Sequence, residues 1–99
     1  MNSKYSIIIT NTLYEKVVSK GFPAMEGPVT AEEVESWLRE EHKILINIGT
    51  LLNGDYDYYS SVYKTTDLWG KSCRRGCGNN YEDVLFDIIE QALTLINND

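Results

Sequence analysis

The feature that most constrains this chain is an abrupt change of hydrophobic period near its middle. Residues 30–42 carry apolar side chains at helical spacing, with Val34, Trp37 and Leu38 on one face. Residues 44–48 alternate instead, so that three isoleucines point to one side of an extended strand. A helix that runs directly into a strand predicts a mixed α+β fold.

Capping signals predict three helices. Thr30 and Glu33 have the spacing of a capping box, which satisfies free amides at a helix start. Thr10 is placed to cap an earlier helix that ends at Lys20-Gly21. Asn79 or Asn80 is placed to cap the last helix, whose apolar face continues to residue 96.

Strand signals occupy the region between the second and third helices. Residues 56–64 are rich in tyrosine, with Tyr58, Ser60 and Val62 on one face, and we expect them to pair antiparallel with 44–48. Weaker signals at 5–9 and 68–73 predict two further short strands, and 71–80 is predicted as a basic connector. We therefore predict one α+β domain over 1–99: a single-layer antiparallel sheet of two to four strands packed by helices, in the order (β)-α-α-β-β-(β)-α.

Size and charge limit the function. The chain has 99 residues and a net charge of −6, which disfavours binding to DNA, RNA or anionic membranes over a broad surface. No apolar run approaches the roughly 20 residues of a membrane span. Residues 1–10 lack the apolar core of a signal peptide, and two cysteines without an export signal predict thiols in the cytoplasm. We expect a small, acidic, cytoplasmic protein.

Three segments together resemble a recurrent group of small proteins encoded by phages, prophages and other mobile elements of gut anaerobes. The segments are TAEEVESWLREEHKILINI, the closing helix NNYEDVLFDIIEQALTLI and the opening helix NTLYEKVVSKGF. The likeness covers most of residues 7–96 and rests on caps and core stripes. It implies an accessory protein of a mobile element and carries no catalytic residues over. The cysteine-containing segment 70–78 departs from the pattern of the group.

The cysteine-containing segment KSCRRGCGNN permits several interpretations. Cys73 and Cys77 are one residue farther apart than a redox C-x-x-C pair. A zinc site would need further ligands, from His42, a carboxylate or a second subunit. The basic residues and glycines before a helix also fit a phosphate site, but no phosphate-binding glycine motif is present. A plain connector with two thiols is the interpretation we favour.

Tyrosines and arginines form a second candidate surface. Tyr59 and Tyr63 share one face of the predicted strand, with Trp69, Arg74 and Arg75 downstream. Aromatic rings beside arginines suit single-stranded nucleic acid, and Tyr, Trp and Arg are equally typical of protein interfaces. The net charge favours the protein interface.

No catalytic arrangement is visible in the sequence. His42 is the only histidine and follows the second helix, where an imidazole suits the negative helix end. No Ser-His-Asp arrangement accompanies it. The glutamates of the second helix are predicted to form an exposed acidic face that can dock a basic partner.

We predict a non-enzymatic protein without cofactor or metal that binds another protein, with nucleic-acid binding or a thiol or zinc site as alternatives. A homodimer through an exposed strand edge is a further expectation. The predicted contact residues are Glu32, Glu35, Glu40, Tyr59, Tyr63, Trp69, Arg74 and Arg75.

Overall fold

The computed structural model describes residues 7–24, 26–50, 54–66 and 73–96. Three helices and a three-stranded antiparallel sheet follow one another as α-α-β-β-β-α, an α+β fold. The elements are α1 (Asn11–Ser19), α2 (Ala31–His42), β1 (Ile44–Thr50), β2 (Tyr58–Lys64), β3 (Arg74–Gly78) and α3 (Tyr81–Thr94). The predicted fold class is confirmed.

Helix α1 begins and ends where the sequence predicts. The Thr10 hydroxyl accepts a hydrogen bond from the Leu13 amide at 3.1 Å. At the other end Gly21 has a φ of 109°, which a residue with a Cβ rarely adopts. The amides of Gly21 and Phe22 donate to the carbonyls of Val18 and Val17, both at 3.0 Å, which is the hydrogen-bond pattern of a Schellman motif.

Helix α2 begins with the predicted capping box. The Thr30 hydroxyl accepts from the Glu33 amide, and the Glu33 carboxylate accepts from the Thr30 amide. The helix ends at Lys43, whose left-handed backbone (φ 57°) turns the chain into β1 with no intervening loop. This sharp turn explains how a helical period changes to a strand period within one residue.

The register of the sheet fixes which side chains share a face. Strand β2 lies in the centre, and its Val62 is paired with Ile46 on one side and Arg74 on the other. Ile44, Ile46, Ser60 and Val62 point to the inner face and are buried. The predicted alternation in β1 and β2 is therefore confirmed.

Strand β3 is where the sequence prediction was wrong. Residues 74–78, predicted as part of a connector, form the third strand and pair with β2 from Tyr58–Gly78 to Val62–Arg74. Cys73 is not in a strand, and residues 68–72 lie outside the described residues. Glycine-rich sequence is typical of turns, but here Gly76 and Gly78 face α3 and let that helix approach the sheet closely.

Helix α3 covers the inner face of the sheet. Asn80 caps it by accepting the Asp83 amide at 3.0 Å, as predicted. Five of its buried residues join the inner face and helices α1 and α2 in one core: Leu85, Ile88, Ile89, Ala92 and Leu93. Helix α2 packs beside α3, as expected.

The N-terminal segment is extended but forms only a single bridge. Ile8 pairs antiparallel with Thr30, and the Ala31 amide donates to the Ile7 carbonyl at 2.8 Å. Ile7 and Ile9 are buried, so this segment closes the core next to the start of α2. The strand predicted at 5–9 is thus a bridge within its described part, 7–9.

Among the described helices, none combines the length and the apolar character that crossing a membrane requires.

Candidate functional site

The face of the sheet that points away from the helices is the most distinctive surface of the molecule. We call it the outer face, and its residues, placed by the strand register, are Leu45, Asn47, Gly49, Tyr59, Ser61, Tyr63, Arg75 and Cys77. Within the described ranges the helices pack on the opposite side, against Ile44, Ile46 and Val62. Asn47, Arg75 and Cys77 are exposed, and Tyr59 is 43% exposed although it lies in the central strand.

Tyr59 is held flat on the outer face by a glycine. Gly49 is its cross-strand neighbour, and a Cβ at Gly49 would lie 2.5 Å from Cε1 of Tyr59. The ring therefore occupies the space that a side chain at position 49 would fill. Tyr59 is 43% exposed, so part of its ring is left for contact with a partner.

Charge is distributed unevenly over the fold. The three strands contain Lys64, Arg74 and Arg75 and no carboxylate, in a chain whose net charge is −6. Arg75 lies in the middle row of the outer face, paired with Ser61. Lys64 and Arg74, together with Lys43, lie toward one end of the sheet, because Lys64 is paired with Ile44 and Arg74 with Val62, both of which belong to the inner face. We call this group the basic end.

The other end of the sheet is different in charge. There Thr50 is paired with Tyr58, and Tyr58 with Gly78. The exposed Asp55 and Asp57 precede Tyr58 in the chain. A ligand lying along the outer face thus meets Arg75 in the middle row and carboxylates beyond the row of Tyr59.

Strand β3 turns its functional side chains outward because its glycines face inward. A Cβ at Gly76 would lie 3.0 Å from both the Asp87 carboxylate and the Ser60 hydroxyl, and one at Gly78 would lie 2.9 Å from Val84. The side-chain amide of Gln91 donates to the Arg75 carbonyl at 3.3 Å and ties α3 to this strand. The two positions that face α3 are glycines, and the side chains of Arg75 and Cys77 alternate with them on the outer face.

The extended strand does not bring the two cysteines together. Four residue steps of extended backbone, roughly 13 Å, separate Cys77 from Cys73. A disulfide needs Cα atoms about 4.4–6.8 Å apart, and two thiolates on one zinc lie within about 4.6 Å of each other. Both thiols are free, and Cys77 is exposed. The geometry therefore gives the thiol and zinc alternative no support.

The predicted contact residues fall on two separate surfaces. Tyr59, Tyr63 and Arg75 lie on the outer face, whereas Arg74 belongs by register to the opposite face. Glu32 and Glu40 are exposed on α2, as predicted. Trp69 lies outside the described residues.

Glu35 requires a correction. It was predicted on the exposed acidic face of α2, but it is only 7% exposed. The buried stripe of the helix contains Ala31 and Leu38, four residues before and three after Glu35. Trp37 is only partly buried, at the edge of this stripe. The buried face is therefore rotated about the helix axis relative to the predicted face, and it includes Glu35.

His42 belongs to an aromatic cluster. Its ring meets Trp37 edge to face at 4.8 Å, and Trp37 meets Phe22 in the same way at 5.4 Å. Within the part of the chain that the structure describes, no three side chains of the His, Cys, Asp and Glu types come together to hold a metal ion. The histidine therefore packs at the end of α2, as its position predicts.

Small clefts lie away from the outer face. One of about 250 Å³ is lined by Lys16, Glu90 and neighbouring residues of α1 and α3, and the Lys16–Glu90 ion pair of 2.8 Å crosses it. Another of about 250 Å³ lies at the start of α3, beside Tyr58 and Tyr81, whose rings meet edge to face at 5.5 Å. These clefts are shallow features between packed elements, and their polar groups are engaged in structural contacts.

Sequence reasoning missed several residues of the outer face. Leu45, Asn47 and Gly49 lie on it through the alternation in β1, a signal that was visible in the sequence. Cys77 lies on it because it belongs to β3, a strand whose glycines favoured the prediction of a connector.

The fold and this surface define a class: a small α+β protein whose three-stranded sheet has helices on one face and, among the residues that the structure describes, exposed side chains on the other. Comparison of the chain with protein-family models, with curated proteins and with solved structures gives no match.

Proposed function

We propose that the protein acts by binding another protein, without catalysis, and that the outer face is its binding surface. One observation carries this proposal. The central strand of the sheet presents Tyr59, 43% exposed, with Tyr63 on the same face and Arg75 beside it on β3. Tyrosine and arginine are enriched at the centres of protein interfaces, where they bury large areas, and a tyrosine ring does so with little loss of side-chain freedom.

The rest of the surface supports the same assignment. The Tyr59 ring is fixed by its contact with Gly49 and by the sheet backbone, so little side-chain entropy is lost when a partner covers it. The α2 carboxylates Glu32 and Glu40 form a separate surface on another element. They contribute to solubility, and they repel acidic partners from the surface of α2.

The experiment is quantitative affinity capture from a lysate of the cells that make this protein. The variant Tyr59→Ala/Tyr63→Ala removes both rings from the outer face, and Glu15→Ala is a matched control at an exposed position of α1. We expect a protein retained by the wild type and by the control to be lost with the double variant. Equal retention by all three proteins, or retention by none, would refute the proposal.

A second candidate, single-stranded nucleic acid, is favoured by one specific observation. The strands carry aromatic rings and three cations and no carboxylate, the combination on which bases stack and phosphates are neutralised. This candidate predicts that the protein retains a labelled oligothymidine at low salt, and that retention falls steeply as salt is raised. If the protein does not retain the oligothymidine at low salt, this candidate function is excluded.

The accessory role in a phage or other mobile element rests on the sequence resemblance alone. It is part of the proposal, and the neighbours of the gene test it. Phage or mobile-element genes on both sides are expected, and a neighbourhood of housekeeping genes would contradict it.

A further inference from the structure

We infer that the partner presents to the outer face a short, extended segment with a carboxylate opposite Arg75 and apolar or aromatic residues toward Tyr59. This inference rests on the proposed function, because it names the chemistry of the partner at the same surface. It combines three observations: the size of the face, its charge and the arrangement of its rings.

The size of the outer face favours a segment over a folded surface. Three strands at about 4.8 Å spacing and five paired rows at about 3.3 Å rise cover roughly 14 × 17 Å, on the order of 240 Å². A stable interface between two folded proteins buries about 800 Å² on each partner. A second copy of this chain, docked by this face alone, therefore has too little area, whereas about five residues of extended peptide match the length of the face.

The charge of the outer face selects an acidic segment. Arg75 is its one charged residue among those that the strand register places there, in the middle row beside Asn47 and Ser61, and Arg74 belongs by register to the opposite face. Neither β1 nor β2 brings a carboxylate near these cations. A carboxylate on the partner can reach the guanidinium of Arg75 without meeting a like charge.

The opposite end of the outer face selects apolar character. Tyr59 lies over Gly49 and beside Cys77, with no charge in that row of the sheet. Beyond this row lie Asp55 and Asp57, which are exposed. Negative charge on the partner is therefore favoured opposite Arg75 and disfavoured toward Asp55 and Asp57.

The same polarity argues against a strand of nucleic acid. Phosphates recur along its whole length, so a strand lying along β2 would place some of them toward Asp55 and Asp57. Tyr59 and Tyr63 are also four residues apart on one strand, roughly 13 Å, with Ser61 between them. A peptide that is acidic over half its length avoids this repulsion.

The test is an NMR titration of the ¹⁵N-labelled protein with three defined probes. The first is a peptide of two leucines and a phenylalanine followed by four glutamates, the second has lysines in place of the glutamates, and the third is an oligothymidine of ten nucleotides. We expect the first probe to shift the amide signals of Tyr59, Ser61 and Arg75. The second probe should leave them in place, and the third should shift them less than the first does.

Two variants separate local from overall charge. Arg75→Ala removes the cation of the outer face, and Arg39→Ala removes a cation from the exposed side of α2, with the same change in net charge. We expect Arg75→Ala to weaken binding of the glutamate peptide about two- to fivefold, in the range of an exposed ion pair, and Arg39→Ala to leave it unchanged.

Each contrary result overturns the inference. Equal shifts with the lysine peptide would show that acidity is not recognised, and stronger shifts with oligothymidine would assign the face to nucleic acid. No shift of the outer-face amides with the glutamate peptide would also overturn it. The capture experiment separates the two failures. If the wild type retains a protein that Tyr59→Ala/Tyr63→Ala loses, the proposed function stands and only the chemistry of the segment is wrong. If that difference is absent as well, the proposed function is also refuted.

Discussion

The packing of β3 against α3 can be tested by adding one methyl group at Gly78. Its ideal Cβ lies 2.9 Å from Cγ2 of Val84, which is buried at 3% exposure in the first turn of α3. A carbon–carbon contact needs about 3.5–4.0 Å, so the helix or the strand must move. The backbone of Gly78 is not in the left-handed region, so steric crowding, not backbone strain, decides the outcome.

The expected magnitude is a balance of two effects. Overpacking a core contact costs about 1–3 kcal/mol. Replacing glycine by alanine also raises the free energy of unfolding by about 0.4–1 kcal/mol, because the unfolded chain loses conformational freedom. For Gly78→Ala we expect a net loss of about 1 kcal/mol in the free energy of unfolding. In a domain of this size that loss lowers Tm by about 4–8 °C, measurable by far-UV circular dichroism.

A matched control lies one residue away. Cys77→Ala changes a side chain that points to the outer face, so the free energy of unfolding should stay within about 0.5 kcal/mol of the wild type. If Cys77→Ala were as destabilising as Gly78→Ala, or if Gly78→Ala were stabilising, β3 would present its other face to α3. The register on which the outer face depends would then be wrong.

Three further predictions address the remaining elements, each measured by urea unfolding. Thr30→Ala removes the capping box of α2 and should cost about 1 kcal/mol, whereas a change below about 0.3 kcal/mol would show that the cap does not stabilise the helix. Ile88→Ala, at a side chain with 0% exposure, should cost about 2–5 kcal/mol; a cost below about 1 kcal/mol would contradict its central place in the core. Lys43→Gly should stabilise the protein by about 0.5 kcal/mol, because the left-handed backbone at position 43 suits glycine, and destabilisation would contradict that backbone conformation.

Most of the fold could be predicted because its signals are local. The capping box at Thr30 and Glu33 involves atoms three residues apart, and the sequence determines it without tertiary context. The end of α1 at Gly21 and the alternation in β1 are likewise local patterns. Such signals place element ends correctly, because competing conformations lack the same hydrogen bonds.

Strand β3 could not be predicted because its cause is not local. Gly76 and Gly78 lie in a strand that packs against α3, the next element of the chain. A Cβ at either position would crowd side chains of that helix. Glu35 was misplaced for a related reason. Its burial depends on how α2 is rotated against the core. The sequence pattern placed Trp37 in the buried stripe, and the rotation inferred from Trp37 left Glu35 on the exposed side.

The candidate site was only partly visible in the sequence. Alternation correctly assigned Tyr59 and Tyr63 to one face, but Arg75 joined them only through the pairing of β2 with β3. The separation of positive charge at one sheet end from Asp55 and Asp57 at the other also depends on register. Long-range pairing of this kind is not determined by composition or spacing.

The most direct test of the open outer face is the reactivity of Cys77 in the native protein. A Cys73→Ser variant leaves Cys77 as the only thiol of the chain, at an exposed position beside Tyr59. We predict that a bulky maleimide reacts with native Cys77 within about threefold of its rate with the urea-unfolded variant, and that the far-UV spectrum does not change. A rate that is slower by a hundredfold or more, or a reaction that proceeds only after unfolding, would show that the outer face is covered and would contradict the account.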